Sequence, residues 1–329
     1  MSDTTLPAPA LPAPRPPRRL GHAGFWLASL AFGALLILAL GALGSEYAYF
    51  AATFVLQYVV LATAWNILGG YAGYVNFGAA AFFAAGAYTT VAAGKAMGLG
   101  LLPCIGLAAL VGGALGLGTG LLTLRLRGAY FAIATLCLSV VLQTAVTNWN
   151  YVGGSRGAYV LRPREVPFGF ESYGAFLCAV AVVLAVAAVA LARSIETSRL
   201  GLGLAALRDD EAAAEAAGVP TLRLKLIATS ISGAMMAVAG APLPYLGSYV
   251  EPNSAFGLAY AVNAIAMPLI GGTASWAGPL IGAVLLASLQ QAATVTISSA
   301  VNLMIVGVVL VVFVCLAPHG IIGLFRRRA

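Results

Sequence analysis

One short stretch concentrates the ionisable chemistry of this chain. Asp209, Asp210, Glu211 and Glu215 fall within "LRDDEAAAEAAGVPTLR", Leu207 to Arg223, whereas all 329 residues hold only ten acids. No set of nucleophile, base and metal ligands gathers anywhere along the sequence. The four cysteines (Cys104, Cys137, Cys178, Cys315) lie in apolar runs without metal-ligand spacing and read as small buried packing residues. His22 and His319 stand near opposite ends of the chain. There is no GxxxxGK[ST] phosphate loop, so the chain does not hydrolyse ATP by that route. This pattern argues against an enzyme.

A second group of residues is polar but uncharged. Gln57, Asn66, Asn76, Thr135, Gln143 and Asn263 interrupt long apolar runs. Neutral donors and acceptors of this kind suit the path of a polar solute, and they equally suit hydrogen-bonded links between helices. Asn66 and Asn76 flank "GGYAG", which includes Gly70 and can break a helix. A broken helix can turn backbone groups or a positive N-terminal end toward an anionic solute. Gly271-Gly272, followed by "SWAGP", repeats the theme and suggests an internal repeat.

The elements that position these residues must be lipid-embedded. The chain is 61% hydrophobic and 8% charged, with mean hydropathy +0.96, against roughly 25% charged residues in soluble domains. Its 39 glycines suit close helix packing in a membrane. We expect an all-α integral membrane protein with about ten transmembrane helices, some broken or re-entrant. The expected spans are 23–44, 48–68, 72–93, 101–123, 129–147, 174–192, 225–246, 258–271, 279–297 and 300–317. Residues 1–22, rich in proline and arginine, are expected to be a disordered tail before an uncleaved first helix. Residues 23–325 form a single membrane domain, and 326–329 form a short basic tail.

Charge sets the orientation. With both termini in the cytoplasm, thirteen of the seventeen basic residues fall inside, in the two tails, at Arg125 and Arg127, and from Arg193 to Lys225. Lys95, Arg156, Arg162 and Arg164 fall outside, which satisfies the positive-inside rule. The net charge of +7 is therefore a topology signal, not a nucleic-acid face. No charged residue lies in the interior of an expected span, unlike the usual ion-coupled carrier.

The 193–224 loop is then cytoplasmic. Within it, Asp209 or Asp210 can cap a helix whose first turn holds Glu211 and whose body is alanine. Gly218 can take the left-handed exit position and Pro220 ends the helix. The result is a helix of two to three turns, about 12 to 15 Å long.

Four ordered stretches resemble a known family. They are "WNILGGYAGYVNFGAAAFFAAGAYT" (Trp65–Thr90), "LRGAYFAIATLCLSVVLQ…NW…GGSRG" (Leu126–Gly157), "GLAALRDDEAAAEAAGV" with "RLKLIATSISGAMMAVAGA", and "MPLIGGTASWAGPLIGAVLL" (Met267–Leu286). Together they look like the M-type permease subunit of branched-chain amino acid ABC importers. The resemblance implies a bacterial inner-membrane permease whose short loop helix docks on a separate ATPase. It assigns coupling to Arg208, Asp210, Glu211, Ala213, Glu215, Ala217 and Gly218. In such a permease the neutral polar residues and the glycine break would line the translocation pathway, with Asn66, Gly70, Asn76, Thr135, Gln143 and Asn263 as candidates.

The implied partners are a paralogous permease, one or two ATP-binding cassette subunits, a periplasmic solute-binding protein and membrane lipid. No cofactor belongs to this chain; ATP and Mg belong to the partner ATPase. Residues 148–173 would be an extracytoplasmic loop, either a solvated connector or a landing surface for the binding protein, with 247–257 as its neighbour. Family members often carry histidine where this chain has Ala79, which leaves the solute open. Urea, short amides or aromatic acids are the alternative cargo, and a stand-alone carrier or channel is the reading of another class.

Overall fold

The structure is a computed structural model that describes residues 22–123, 126, 128–163, 166–296, 304, 307–312 and 320–326. The tail before residue 22, Arg125, Arg127, Arg164, Cys315 and most of the expected span at 300–317 lie outside these residues.

Helices occupy the other nine expected spans. They are α1 (His22–Leu43), α2 (Glu46–Asn66), α3 (Ala79–Met97), α4 (Leu101–Thr123), α5 (Ala129–Thr147), α6 (Tyr173–Glu196), α9 (Thr221–Gly240), α12 (Leu258–Gly271) and α13 (Ala277–Thr296). Between α6 and α9 come α7 (Arg199–Asp209) and α8 (Glu211–Ala216). Between α9 and α12 come the short α10 (Leu243–Gly247) and α11 (Pro252–Ala255). Seven described helical stretches are long and apolar enough to cross a membrane. Two strands, β1 (Ala158–Tyr159) and β2 (Tyr249–Val250), pair antiparallel.

Two expectations need correction, at the third span and at Cys137. The third span starts at Ala79 and not at 72, because α2 ends in a π-helical turn, Ile67–Tyr71, and residues 72–78 cross over without helix. The eighth span is interrupted: the short α11 and the 14-residue α12, which keeps Pro268 inside it, are separated at Phe256-Gly257, and α12 ends at Gly271. Cys137 is also exposed, whereas Cys104 and Cys178 are buried as expected.

Packing centres on α9. Lipid removes the hydrophobic drive between helices, so association rests on close contact. Gly112 and Gly116 of α4 bring that helix against α9; a Cβ on Gly116 would stand 2.5 Å from the Thr229 carbonyl oxygen. Gly233 returns the fit, with the Gly112 carbonyl oxygen 2.7 Å from where its Cβ would be. The Ser230 hydroxyl donates to the Gly113 carbonyl at 2.8 Å, adding a polar tie across the seam. On another side, Gly86 of α3 faces the Ala237 carbonyl and Gly240 faces that of Phe83. The core around these seams holds Trp65, Phe82, Phe83, Phe131, Met236 and Met267, all fully buried.

Gly116→Leu should force α4 off α9 and lower the melting temperature in detergent, at an overpacking cost of about 1–3 kcal/mol. Gly118→Leu on the same helix meets open space and should melt like the parent. Equal melting of the two variants would show that this seam does not hold the bundle.

Candidate functional site

The loop expected to carry one short helix carries two. Ser198 caps α7 by accepting from the Gly201 amide at 3.3 Å. Leu204 and Leu207 then bury the inner face of α7. That leucine spacing was visible in the sequence, but Gly201 and Gly203 obscured it as a helix signal. The six residues of α8 span about 9 Å, shorter than expected.

The caps of α8 are as expected. The Asp210 carboxylate accepts from Ala212 N at 2.9 Å and Ala213 N at 3.0 Å. Gly218 takes φ +82°, its amide bonding Glu215 O and the Val219 amide bonding Ala214 O, which completes a Schellman exit. Ala214 turns inward and is buried, while Ala212, Ala213, Ala216 and Ala217 are exposed.

The four acids divide between the surface, where Asp209 and Asp210 are exposed, and contacts with the rest of the chain. Glu211 pairs with Lys225 of α9, and its other oxygen accepts from the Tyr74 hydroxyl at 2.7 Å. Glu215 accepts from Thr221 Oγ1 at 2.6 Å. Asp209 pairs with Arg208 at 3.4 Å on the surface, where such pairs contribute little. Arg208 also donates to the Gly70 carbonyl at 3.3 Å. Glu211 and Glu215 thus fasten α8 to its own chain, and the alanines dominate the opposite, exposed side.

The break after α2 lies directly beneath α7 and α8. Trp65 Nε1 donates to Asn76 O at 2.8 Å, and the Asn76 side chain accepts from Gly78 N at 2.8 Å, so its amide oxygen builds the turn into α3. Phe77 N donates to Thr135 Oγ1 of α5 at 3.1 Å. Asn66 donates to Thr273 O at 3.2 Å, just past the Gly271-Gly272 break. The two glycine breaks therefore meet, and Gly70 has no Cβ because Thr273 O would stand 2.7 Å from it. Asn66 Oδ1 is buried without a hydrogen-bond partner. A cleft of about 580 Å³ opens here, lined by Gly73, Tyr74, Phe77, Ala132, Arg208 and Glu211 among others.

The remaining polar candidates lie apart from this group. Gln57 ties α2 to α9 through Ala239 O at 2.8 Å. Asn263 sits in a buried chain: it accepts from Gln290 at 2.9 Å and donates to the Tyr58 hydroxyl at 3.2 Å. Gln143 donates to Asn253 at 3.0 Å on the exposed side. Thr135, Ser139 and Gln143 recur every four residues on α5, the least buried of the seven apolar stretches. Ser139, Gln290 and Tyr74 carry no local signal in the sequence, and Lys225 reads there only as a topology charge.

At the opposite end of the bundle, residues 148–173 pair with the 247–257 loop as neighbours. β1 joins β2, and Arg162 donates to the carbonyls of Tyr245 and Leu246, both at 2.9 Å. Tyr159, Leu161 and Phe168 remain exposed there. Among the described residues, no group of three or more His, Cys, Asp or Glu could hold a metal.

Comparison with known proteins agrees with this architecture. Residues 47–314 match the family model described as branched-chain amino acid transport system / permease component. The high-affinity branched-chain amino acid transport system permease protein LivM of Salmonella typhimurium is 28% identical over 301 residues, 84% of this chain and 70% of the relative. LivM of Escherichia coli is 27% identical over the same shares. A probable branched-chain amino acid transport permease protein LivH of Methanocaldococcus jannaschii is 25% identical over 75% of this chain and 84% of its own length. No solved structure matches. With most of its length matched, its apolar helices in place and its loop helix held on the bundle, the chain belongs to the branched-chain amino acid transport permease family.

Proposed function

We propose that this chain forms the translocation pathway for branched-chain amino acids in an inner-membrane ABC importer, and that α8 docks on a separate ATPase subunit. The observation that carries the reading is the outer face of α8. Four exposed alanines project from a helix whose inner side is fastened by Glu211, Glu215 and Ala214. Small side chains let a helix sit deep in a cleft, and the fastening lets a push on it reach the bundle. Leu202 and Leu222, 70% and 56% exposed, add apolar surface on the elements flanking α8.

ATP and Mg are supplied by the ATPase partner in this reading. A second permease, a periplasmic binding protein and lipid complete the assembly. The exposed aromatics of 148–173 suit a landing surface for the binding protein. Both termini and the α7–α8 loop are cytoplasmic, as the basic residues favour. The pathway runs past Asn66, Gly70 and Thr135 and along the polar row of α5.

Three measurements test the reading. Ala213→Arg keeps helix propensity within a few tenths of a kcal/mol but blocks the alanine face. It should leave the protein in the membrane while abolishing ATPase co-purification and uptake. Wild-type uptake would reduce α8 to a connector. A cysteine placed at the exposed Thr197 should react with an impermeant reagent only from the cytoplasmic side; labelling from outside would invert the orientation. Asn66→Leu should lower uptake with ATPase assembly intact, because it removes the buried unpartnered oxygen. Normal transport by that variant would remove Asn66 from the pathway.

A further inference from the structure

Lys225 stands in the second turn of α9 and is 2% exposed. A buried ammonium is tolerated only when paired and hydrogen-bonded. Its carboxylate partner, Glu211, belongs to a different helix, the first residue of α8. The same carboxylate accepts from Tyr74, and the ammonium lies 4.8 Å from the centre of the Tyr74 ring. One charged node therefore joins α8, α9 and the crossover 72–78.

Tyr74 is rigidly connected in turn. Its amide donates to Leu68 O of the π-helical turn at 3.1 Å, and its ring meets Phe131 of α5 edge-on at 5.2 Å. Gly73, with φ +78°, lies against the Arg208 side chain, whose guanidinium holds the Gly70 carbonyl. Two side chains of the α7–α8 elbow thus grip the segment that contains the glycine break, from Gly70 to Tyr74. A displacement of α8 that left this segment and α9 behind would strand the Tyr74 hydroxyl and the Lys225 ammonium without their shared carboxylate, which is strongly unfavourable.

We propose that Tyr74 and Lys225 are positioning residues that convert movement of α8 into movement of the glycine break, so that coupling, more than assembly, depends on them. The inference rests on the reading of α8 as the ATPase-docking helix. The Glu211–Tyr74 bond is the transmitting contact, and Phe131 passes the motion to α5 on the far side of the cleft.

The test uses the whole complex reconstituted in vesicles, with leucine uptake and ATP hydrolysis measured together. Tyr74→Phe keeps the ring, its contact with Phe131 and its contact with the ammonium, and removes only the hydroxyl. The double variant Glu211→Gln/Lys225→Met removes both charges of the buried pair together, so that no charge is left unpaired. For each variant the ATPase should co-purify as with the parent, while leucine moved per ATP hydrolysed falls about tenfold, the effect of losing one charge-assisted hydrogen bond. An unchanged ratio in both variants, or uptake and hydrolysis falling in parallel with the amount of protein, would reduce the node to fold stabilisation. Failure of the parent chain to retain any ATPase would instead overturn the importer reading.

Discussion

The backbone contact of α9 with α3 and α4 is the constraint from which the arrangement follows. Where solvent and side chains are equally apolar, only contact at van der Waals range separates one packing from another. Glycines supply that range on both sides of α9, at Gly112 and Gly116 and again at Gly86 and Gly240. A helix seated so closely along its length moves as a rod. Its first turns, at Thr221 and Lys225, hold Glu215 and Glu211 of α8. The rod therefore begins where the loop helix ends.

Polar groups follow the same economy. Several buried side chains of the bundle interior spend hydrogen bonds on neighbouring helices, as Gln57, Asn263, Gln290 and Ser232 do. These ties fix helix register in a core that apolar contacts alone would leave slippery. In Asn66, as in Gln290, one half of the amide is engaged and the buried oxygen has no partner; Asn66 alone of the two stands at the meeting of the glycine breaks. An unmet acceptor in a dry site is unfavourable unless something else meets it. That contrast separates Asn66 from Asn76, whose oxygen is already taken by the turn into α3.

Much of this was legible in the sequence, for physical reasons that also mark where legibility ends. Span positions could be read because a bilayer demands a run of about 20 apolar residues. The start of α3 could not, because "AGYVNFG" is nearly as apolar as a helix and the glycines do not say which residue turns. Gly218 was readable as the left-handed exit of α8, since the signal is local: glycine, then proline two residues on. The cluster of acids was seen but its purpose was not. Glu211 meets Lys225 fourteen residues later and Tyr74 137 residues earlier, and no periodicity links them. The meeting of the two glycine breaks through Asn66 and Thr273, 207 positions apart, is hidden in the same way.

The small sheet at the other end has a kinetic meaning. The Tyr249 hydroxyl reaches the Arg156 carbonyl across 93 positions of chain, and the segment so enclosed contains α6 through α10. Contacts of such separation form late, because the chain between them must first be ordered. Here the ordering step is insertion: β1 cannot find β2 until both α6 and α9 have crossed the bilayer. Closure of this sheet therefore marks completion of the central fold during biogenesis, and a chain stalled before α9 leaves the 148–173 segment without its strand partner.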